Sequence, residues 1–344
     1  MRCFLCFLSL FPAIQAGAAE DIPPRGVERN MAELAPLKVT ATRTAQPLAE
    51  APFSIGTMTA MEMEQRSVRS LPEALNELPG VMVQKTANGQ GSPYLRGFTG
   101  YRTLAVIDGV RYNNSVYRDG PNEYFSLIDF HTLDRIELLE GPASVQYGSD
   151  AIGGTLLMLT RQSDFMAEAA GLAYAHGTQS YRYSSAENSH VSRTTAEVGS
   201  GGSWGILLGL TGQDFGDVEA AHIGKQRQTG YEQYGFDVRY DLKISDQWQL
   251  TLNHQGSSQD DVWRTHSTIF GESFSGTEVG TDLRRLKDQA HSLSYAKLTG
   301  TDLHGAIDQA ALTFSFQTWD EDGDRIRSSG SRSLESFDSR INGV

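Results

Sequence analysis

Two kinds of periodicity divide the chain. Before about residue 162 the apolar positions change spacing every few residues. Leu71, Ala74, Leu75 and Leu78 fall at i, i+3, i+4 and i+7, the mark of a helix with one buried face. Ser70-Leu71-Pro72-Glu73 opens that helix with a capping box, in which a hydroxyl and a carboxylate satisfy each other's backbone donors. Thr59-Ala60-Met61-Glu62 offers the same pattern for a preceding helix, and Pro79-Gly80 marks the stop. Short β-branched or apolar runs surround these helices, at residues 37–42, 103–107, 136–139 and 152–159. Asp108-Gly109, between the second run and Val110-Arg111-Tyr112, is a hairpin dipeptide, because glycine accepts the positive φ of a two-residue turn. Helices and short strands mixed over residues 37–162 predict a small α+β domain.

From about residue 168 the period becomes two. In Trp248-Gln249-Leu250-Thr251-Leu252-Asn253 every second side chain is apolar, and Leu312, Phe314 and Phe316 alternate with Thr313, Ser315 and Gln317. Other clear runs are 204–210, 234–242 and 293–298, divided by Gly, Ser, Asn and Asp. A soluble sandwich has the same period. Long strands with aromatic ends and a face of Thr, Gln, Asn and Ser favour a transmembrane barrel, apolar outside and polar within. Residues 168–344 therefore read as the first strands of an antiparallel outer-membrane β-barrel. They suffice for about seven or eight strands. A plugged 22-stranded barrel takes roughly 220 residues in strands alone, so the barrel reads as incomplete and the chain as truncated at its C-terminus.

The N-terminus adds an address. Arg2, a mainly apolar run over residues 3–14 and Ala16-Gly17-Ala18 form a secretory signal peptide, residues 1–18. Residues 19–36, with Pro23-Pro24, read as a linker. Both cysteines, Cys3 and Cys6, lie in the leader, so the exported chain is expected without a disulfide. No later apolar run is long enough for a spanning helix, so entry into a membrane would require a closed barrel. The 42 Asp+Glu against 29 Lys+Arg, net −13, exclude a nucleic-acid partner that needs a basic face. No phosphate loop, zinc-helix motif or nucleophile elbow is present, and neither enzyme activity nor a cofactor or metal is expected. Asp320-Glu321-Asp322-Gly323-Asp324 reads as an acidic barrel loop, and His222, His254, His266 and His291 as residues in or near loops.

A series of motifs, in order, resembles those of the plug domain of TonB-dependent receptors. They are Leu37-Lys38-Val39-Thr40-Ala41-Thr42-Arg43, Leu71 onward to Leu78-Pro79-Gly80-Val81, Leu95-Arg96-Gly97-Phe98, Val106-Ile107-Asp108-Gly109-Val110, and the longest, Ile136-Glu137-Leu138-Leu139-Glu140-Gly141-Pro142-Ala143-Ser144-Val145-Gln146-Tyr147-Gly148-Ser149-Asp150-Ala151-Ile152-Gly153-Gly154. The chain departs from the family pattern at Gly154-Thr155-Leu156-Leu157-Met158, where an Asn is usual, and at Glu140, where Arg or Lys is common. The resemblance implies an outer-membrane receptor for energised uptake of an iron chelate, a ferric siderophore or haem, with the plug gating the barrel and lipid around it. It implies that TonB pairs by strand addition with a segment near the N-terminus. Residues 34–41 are the candidate, with Leu37, Lys38, Val39, Thr40 and Ala41 as the TonB box. Ligand loops are expected at residues 84–94, at Tyr101-Arg102 and at 113–124, with Tyr94, Tyr101, Arg102, Asn114, Tyr117, Arg118 and Asn122 supplying aromatic faces and forked donors. Arg96 and Glu137 are expected to hold the plug in the barrel. The alternative is a soluble periplasmic fragment that binds ligand or TonB without transport.

Overall fold

The structure is a computed structural model and describes residues 38–41, 46–115, 117, 119–121, 123–304 and 307–344. The expected signal peptide and linker, with Leu37, Arg118 and Asn122, lie outside the described residues.

The first half is built on a five-stranded sheet. Its elements are β1 (Ile55–Thr59), α1 (Ala60–Gln65), α2 (Leu71–Asn76), β2 (Val81–Ala87), β3 (Gln90–Leu95), β4 (Thr103–Ile107), β5 (Val110–Arg111), β6 (Leu133–Glu140), α3 (Ser144–Tyr147) and β7 (Gly154–Thr160). The sheet order is β1-β6-β7-β4-β5. β4 and β7 run parallel, and the other pairs are antiparallel. Ahead of it, Lys38–Val39 pairs with Gln46–Pro47 as a short ribbon. Asp108 and Gly109, with φ of 49° and 98°, make the predicted tight turn between β4 and β5.

The two helix caps differ from their sequence patterns. At α1 the box closes: the Thr59 hydroxyl accepts from Glu62 N–H at 3.3 Å, and Thr59 N–H donates to the Glu62 carboxylate at 2.8 Å. At α2 the Ser70 side chain makes no capping bond. Glu73 is taken instead by Arg69, whose backbone N–H donates to it at 2.8 Å, and by Lys85. The apolar face behaves as predicted. Leu71, Ala74 and Leu75 are fully buried and join Met58, Met63, Ile107, Ile136, Leu156 and Met158 in the core. Residues 84–94, expected as a loop, form most of the β2–β3 hairpin, with Asn88-Gly89 between Ala87 and Gln90.

The second half is one antiparallel meander of eight strands, each paired with the next. They are β8 (Ala173–Ser184), β9 (Ser189–Ser200), β10 (Trp204–Phe215), β11 (Tyr231–Lys243), β12 (Trp248–Trp263), β13 (Arg284–Gly300), β14 (Ala310–Ile326) and β15 (Arg332–Gly343). β8 and β15 do not pair with each other, so the sheet is an unclosed wall. The acidic run 320–324 is inside β14 rather than in a loop, and His254 and His291 sit in β12 and β13.

Period two sorts the side chains of this wall as the sequence predicts. In β11, Gln233, Asp237, Arg239 and Asp241 are buried against the plug, while Tyr234 and Val238 are exposed. In β12, Thr251 and Asn253 face inward and Leu252 outward. In β14, Leu312, Phe314 and Phe316 are exposed, whereas Gln317 and Trp319 are buried. Polar side chains on the covered face and apolar ones on the open face invert a water-soluble sheet and suit a wall whose outside meets lipid.

Candidate functional site

The plug and the wall meet through buried charge. Three wall arginines, on β9, on β11 and just beyond β12, each reach a plug carboxylate. Arg239 lies 3.7 Å from Asp108 and 2.8 Å from Asp241 on its own strand. It also donates to the Thr160 hydroxyl at 3.0 Å. Tyr295 of β13 donates to the same Asp108 carboxylate at 2.7 Å, and Thr160 N–H donates to it at 3.0 Å. The left-handed turn at Asp108 thus aims its carboxylate across the interface into a set of fixed donors.

Arg193 pairs with Asp237 at 2.7 Å and faces Asp129 of the plug at 3.9 Å. Space for this group comes from two wall glycines. A Cβ on Gly235 would overlap the Asp129 carboxylate, and one on Gly209 would overlap Arg193 and Asp237. Arg264 pairs with Glu123 and donates to Gln90 Oε1 at 2.9 Å. All three arginine side chains are under one-tenth exposed, so each buried pair is costly to orphan, by ~3–5 kcal/mol.

Between the Glu123 and Asp129 clamps the plug backbone is strapped to the wall. Gln259 donates to Ser126 O at 3.1 Å, Gln233 to Leu127 O at 3.5 Å, and Ser257 also donates to Leu127 O. Nearby, Tyr112 packs edge-on against Trp319, 4.6 Å between centroids, and against His291 at 4.9 Å. Plug cations contribute once among the described residues. Arg69 pairs with Glu187 of the β8–β9 turn at 2.6 Å and with Glu73 at 2.6 Å. Burial alone would raise the Glu73 carboxyl, but Arg69 and Lys85 outweigh it and hold it at about 2.

The expected site residues separate into groups. Arg102 pairs with Asp119 and lies 5.0 Å over the Tyr101 ring, which joins the 100–102 turn to the 113–121 stretch. Tyr117 is turned inward and stacks on Tyr124 at 5.2 Å, and Asn114 is half-buried. Tyr94 is on the hairpin, bonded to Gln84 at 2.7 Å. Arg96 is exposed with φ 51°, and among the described residues it makes no ion pair with the wall. Glu137 is fully buried and accepts from Arg135 Nε at 2.9 Å and from Thr40 N–H at 2.8 Å, both within the plug region. Val39 and Ala41 are fully buried. The clamp residues Asp108, Glu123, Asp129, Arg193, Arg239 and Arg264 escaped the sequence reading. The available signal was charge at the inward parity of strands, as in Asp237-Val238-Arg239-Tyr240-Asp241.

Residues 47–155 match the family model of the TonB-dependent receptor plug domain. The chain is 27% identical to a vitamin B12 transporter of Vibrio vulnificus (strain CMCP6), over 80% of this chain and 45% of that protein. It is 38% identical to an iron-regulated outer membrane virulence protein of Vibrio cholerae (strain ATCC 39541), over 36% of this chain and 20% of that protein. The ferripyoverdine receptor of the Pseudomonas aeruginosa outer membrane superposes with a TM-score of 0.65 at 13% identity, covering 89% of this chain and 40% of that one, and shows the same fold. The chain spans less than half the length of each of these proteins. A sheet that is polar where it grips a mixed domain and apolar where it does not, joined to a domain of that family, leads to one assignment: this chain carries the plug domain of a TonB-dependent outer-membrane receptor, followed by a partial, unclosed antiparallel β-barrel.

Proposed function

We propose that the chain serves energised uptake of an iron chelate, a ferric siderophore or haem, across the outer membrane. The observation that carries this reading is the charged, strapped seat of the plug on the polar face of a lipid-suited wall. Such a seat holds a pore shut and is released in parts rather than dissolved. One sequence relative above is described as iron-regulated, which is compatible with an iron chelate, and the other as a vitamin B12 transporter, which makes cobalamin the competing ligand for the growth test. The longer wall loops, 216–230 and 264–283, lie at the same end of the sheet, and outer loops of such barrels are the long ones. That end is assigned to the cell exterior, and ligand contact is assigned to Tyr101, Arg102 and the 113–124 stretch. Residues 37–41 are assigned as the TonB box, delivered to the periplasm by a signal peptide at residues 1–18.

Fractionation tests the setting. A heat-modifiable band in the outer membrane is expected, and a soluble periplasmic monomer supports the alternative of a binding fragment without transport. Growth on single iron sources, with and without TonB, tests the uptake, and growth that ignores both the chain and TonB refutes it.

A further inference from the structure

Three wall arginines seat the plug, and a fourth beside them has no counter-charge. Arg285 is the second residue of β13, directly after the 264–283 loop. It has the parity of Gln289, His291, Leu293 and Tyr295, all buried on the plug-facing side of that strand. Arg264 N–H donates to Arg285 O at 2.9 Å, and Arg285 stands opposite Arg325 in the β13–β14 register. Three arginines thus share one row of the inner face. Two of them are neutralised, Arg264 by Glu123 and Arg325 by Asp282 at 3.0 Å. Lys287, two residues on, is paired with Glu321. Arg285 is half-buried, and among the described residues its side chain makes no ion pair and no hydrogen bond. The charges that reach it are Arg264 and Arg325 on one side of the balance, Asp282 and Glu123 on the other. The row therefore holds three cations against two carboxylates.

A half-buried guanidinium between like charges is costly unless an anion meets it, because arginine does not shed its proton. Its place in the fold says where that anion comes from. Arg264 ties this row to Glu123, in the 113–124 stretch assigned to ligand contact, and the row lies at the end of the sheet assigned to the cell exterior. We propose that Arg285 is the wall's anchor for the ligand, and that it takes a carboxylate carried by the iron chelate. The proposal rests on the uptake reading above and narrows its ligand. A guanidinium fork meets the two oxygens of a carboxylate in parallel hydrogen bonds, which supplies direction as well as charge. Glu123 and Asp282 keep the flanking arginines occupied, so the incoming anion is directed to the free guanidinium. A haem, through its propionates, fits this anchor, as does a siderophore with free carboxylates. A neutral chelate whose oxygens are all spent on the metal offers it nothing.

The test is binding to outer-membrane vesicles holding the full chain, read as metal pelleted above that of vesicles without it. The probes are haem, haem dimethyl ester, a ferric siderophore with free carboxylates, a neutral ferric trihydroxamate and cyanocobalamin. One of the two carboxylate probes is expected to bind, and which one names the source of the carboxylate. The ester and the neutral probes are expected to bind at least about tenfold more weakly. Arg285→Gln is expected to weaken the carboxylate probe by about thirtyfold. Arg285→Lys, which keeps the charge and loses the fork, is expected to recover only part of that loss. A heat-modifiable band retained by both variants shows that the loss is not a folding defect, and the parent's preference among probes stands without either variant. The anchor is overturned if Arg285→Gln binds within twofold of the parent, if a neutral probe binds as tightly as the carboxylate probes, or if neither carboxylate probe binds. Growth separates this result from the uptake reading. TonB-dependent growth on the neutral trihydroxamate alone keeps uptake and refutes the anchor. Arg285-dependent binding without TonB-dependent growth on the same probe keeps the anchor and refutes uptake.

Discussion

Removing the Arg239 guanidinium tests whether the buried charges, rather than shape alone, seat the plug. Arg239 is 3.7 Å from Asp108, and the two side chains are 7% and 9% exposed. At an effective dielectric of about 20, that separation corresponds to an attraction of about 4.5 kcal/mol. Arg239→Ala leaves Asp108 and Asp241 buried without their cation, and the expected loss is ~3–5 kcal/mol. Asp108→Asn alone keeps an acceptor for Thr160 N–H and is expected to cost less. In the double variant Asp108 no longer needs a counter-charge, so the two changes couple by ~1–3 kcal/mol. The measurement is urea unfolding in detergent micelles, followed by tryptophan fluorescence. Trp319 is 2% exposed at the plug–wall contact and reports the separation. A loss below about 1 kcal/mol for Arg239→Ala, or additivity within about 0.5 kcal/mol, would falsify the account of the plug as electrostatically seated.

Three further outcomes follow from the same structure. Gly235→Ala pushes a methyl into the Asp129 carboxylate and is expected to lower the same unfolding free energy by ~1–3 kcal/mol; an unchanged midpoint removes the close-approach argument. Phe314→Arg, on the exposed face of β14, is expected to cost ~2–4 kcal/mol at the bilayer midplane and to reduce the heat-modifiable fraction, and full retention of that band argues against a lipid-facing wall. The Glu73 carboxyl sits at about 2 in the fold against an ordinary 4.5, so the native state binds its proton more weakly than the unfolded chain. Its contribution, on the order of 2 kcal/mol, is complete above about pH 4.5 and disappears as the pH falls towards 2. Glu73→Gln is expected to flatten that slope, and a variant as acid-sensitive as the parent contradicts it.

What the sequence made legible were features set by local chemistry or strict period. The Thr59 box, the Leu71–Ala74–Leu75 face and the Asp108-Gly109 turn each depend on neighbours in the chain, and each is present. The strands of the wall were legible because Leu312, Phe314 and Phe316 alternate with Thr313, Ser315 and Gln317, the period of a sheet with one apolar face. The β2–β3 hairpin was hidden by its polar run Gln84-Lys85-Thr86, although Asn88-Gly89 is a hairpin dipeptide in plain view. The second cap failed because Arg69 and Lys85 compete for Glu73, a contest no single-residue pattern records. The acidic run 320–324 was read as a loop by composition, but its strand carries paired cations opposite, as Lys287 does for Glu321. The clamps are contacts between residues far apart in sequence, and only the register of the strands reveals which charges meet.

The location of the clamps in the wall also bears on the order of assembly. Arg193 and Arg239 belong to the first five strands after the plug, and Arg264 directly follows the fifth. The Arg239–Thr160 contact closes a loop of only 79 residues, and Gln259–Ser126 one of 133. Loop-closure cost grows by only about 0.6 kcal/mol per doubling, but rates of folding follow sequence separation closely. By that measure the early strands are expected to dock on the plug ahead of any pairing with strands more remote in the sequence, so that the sheet is laid around its filling rather than filled afterwards.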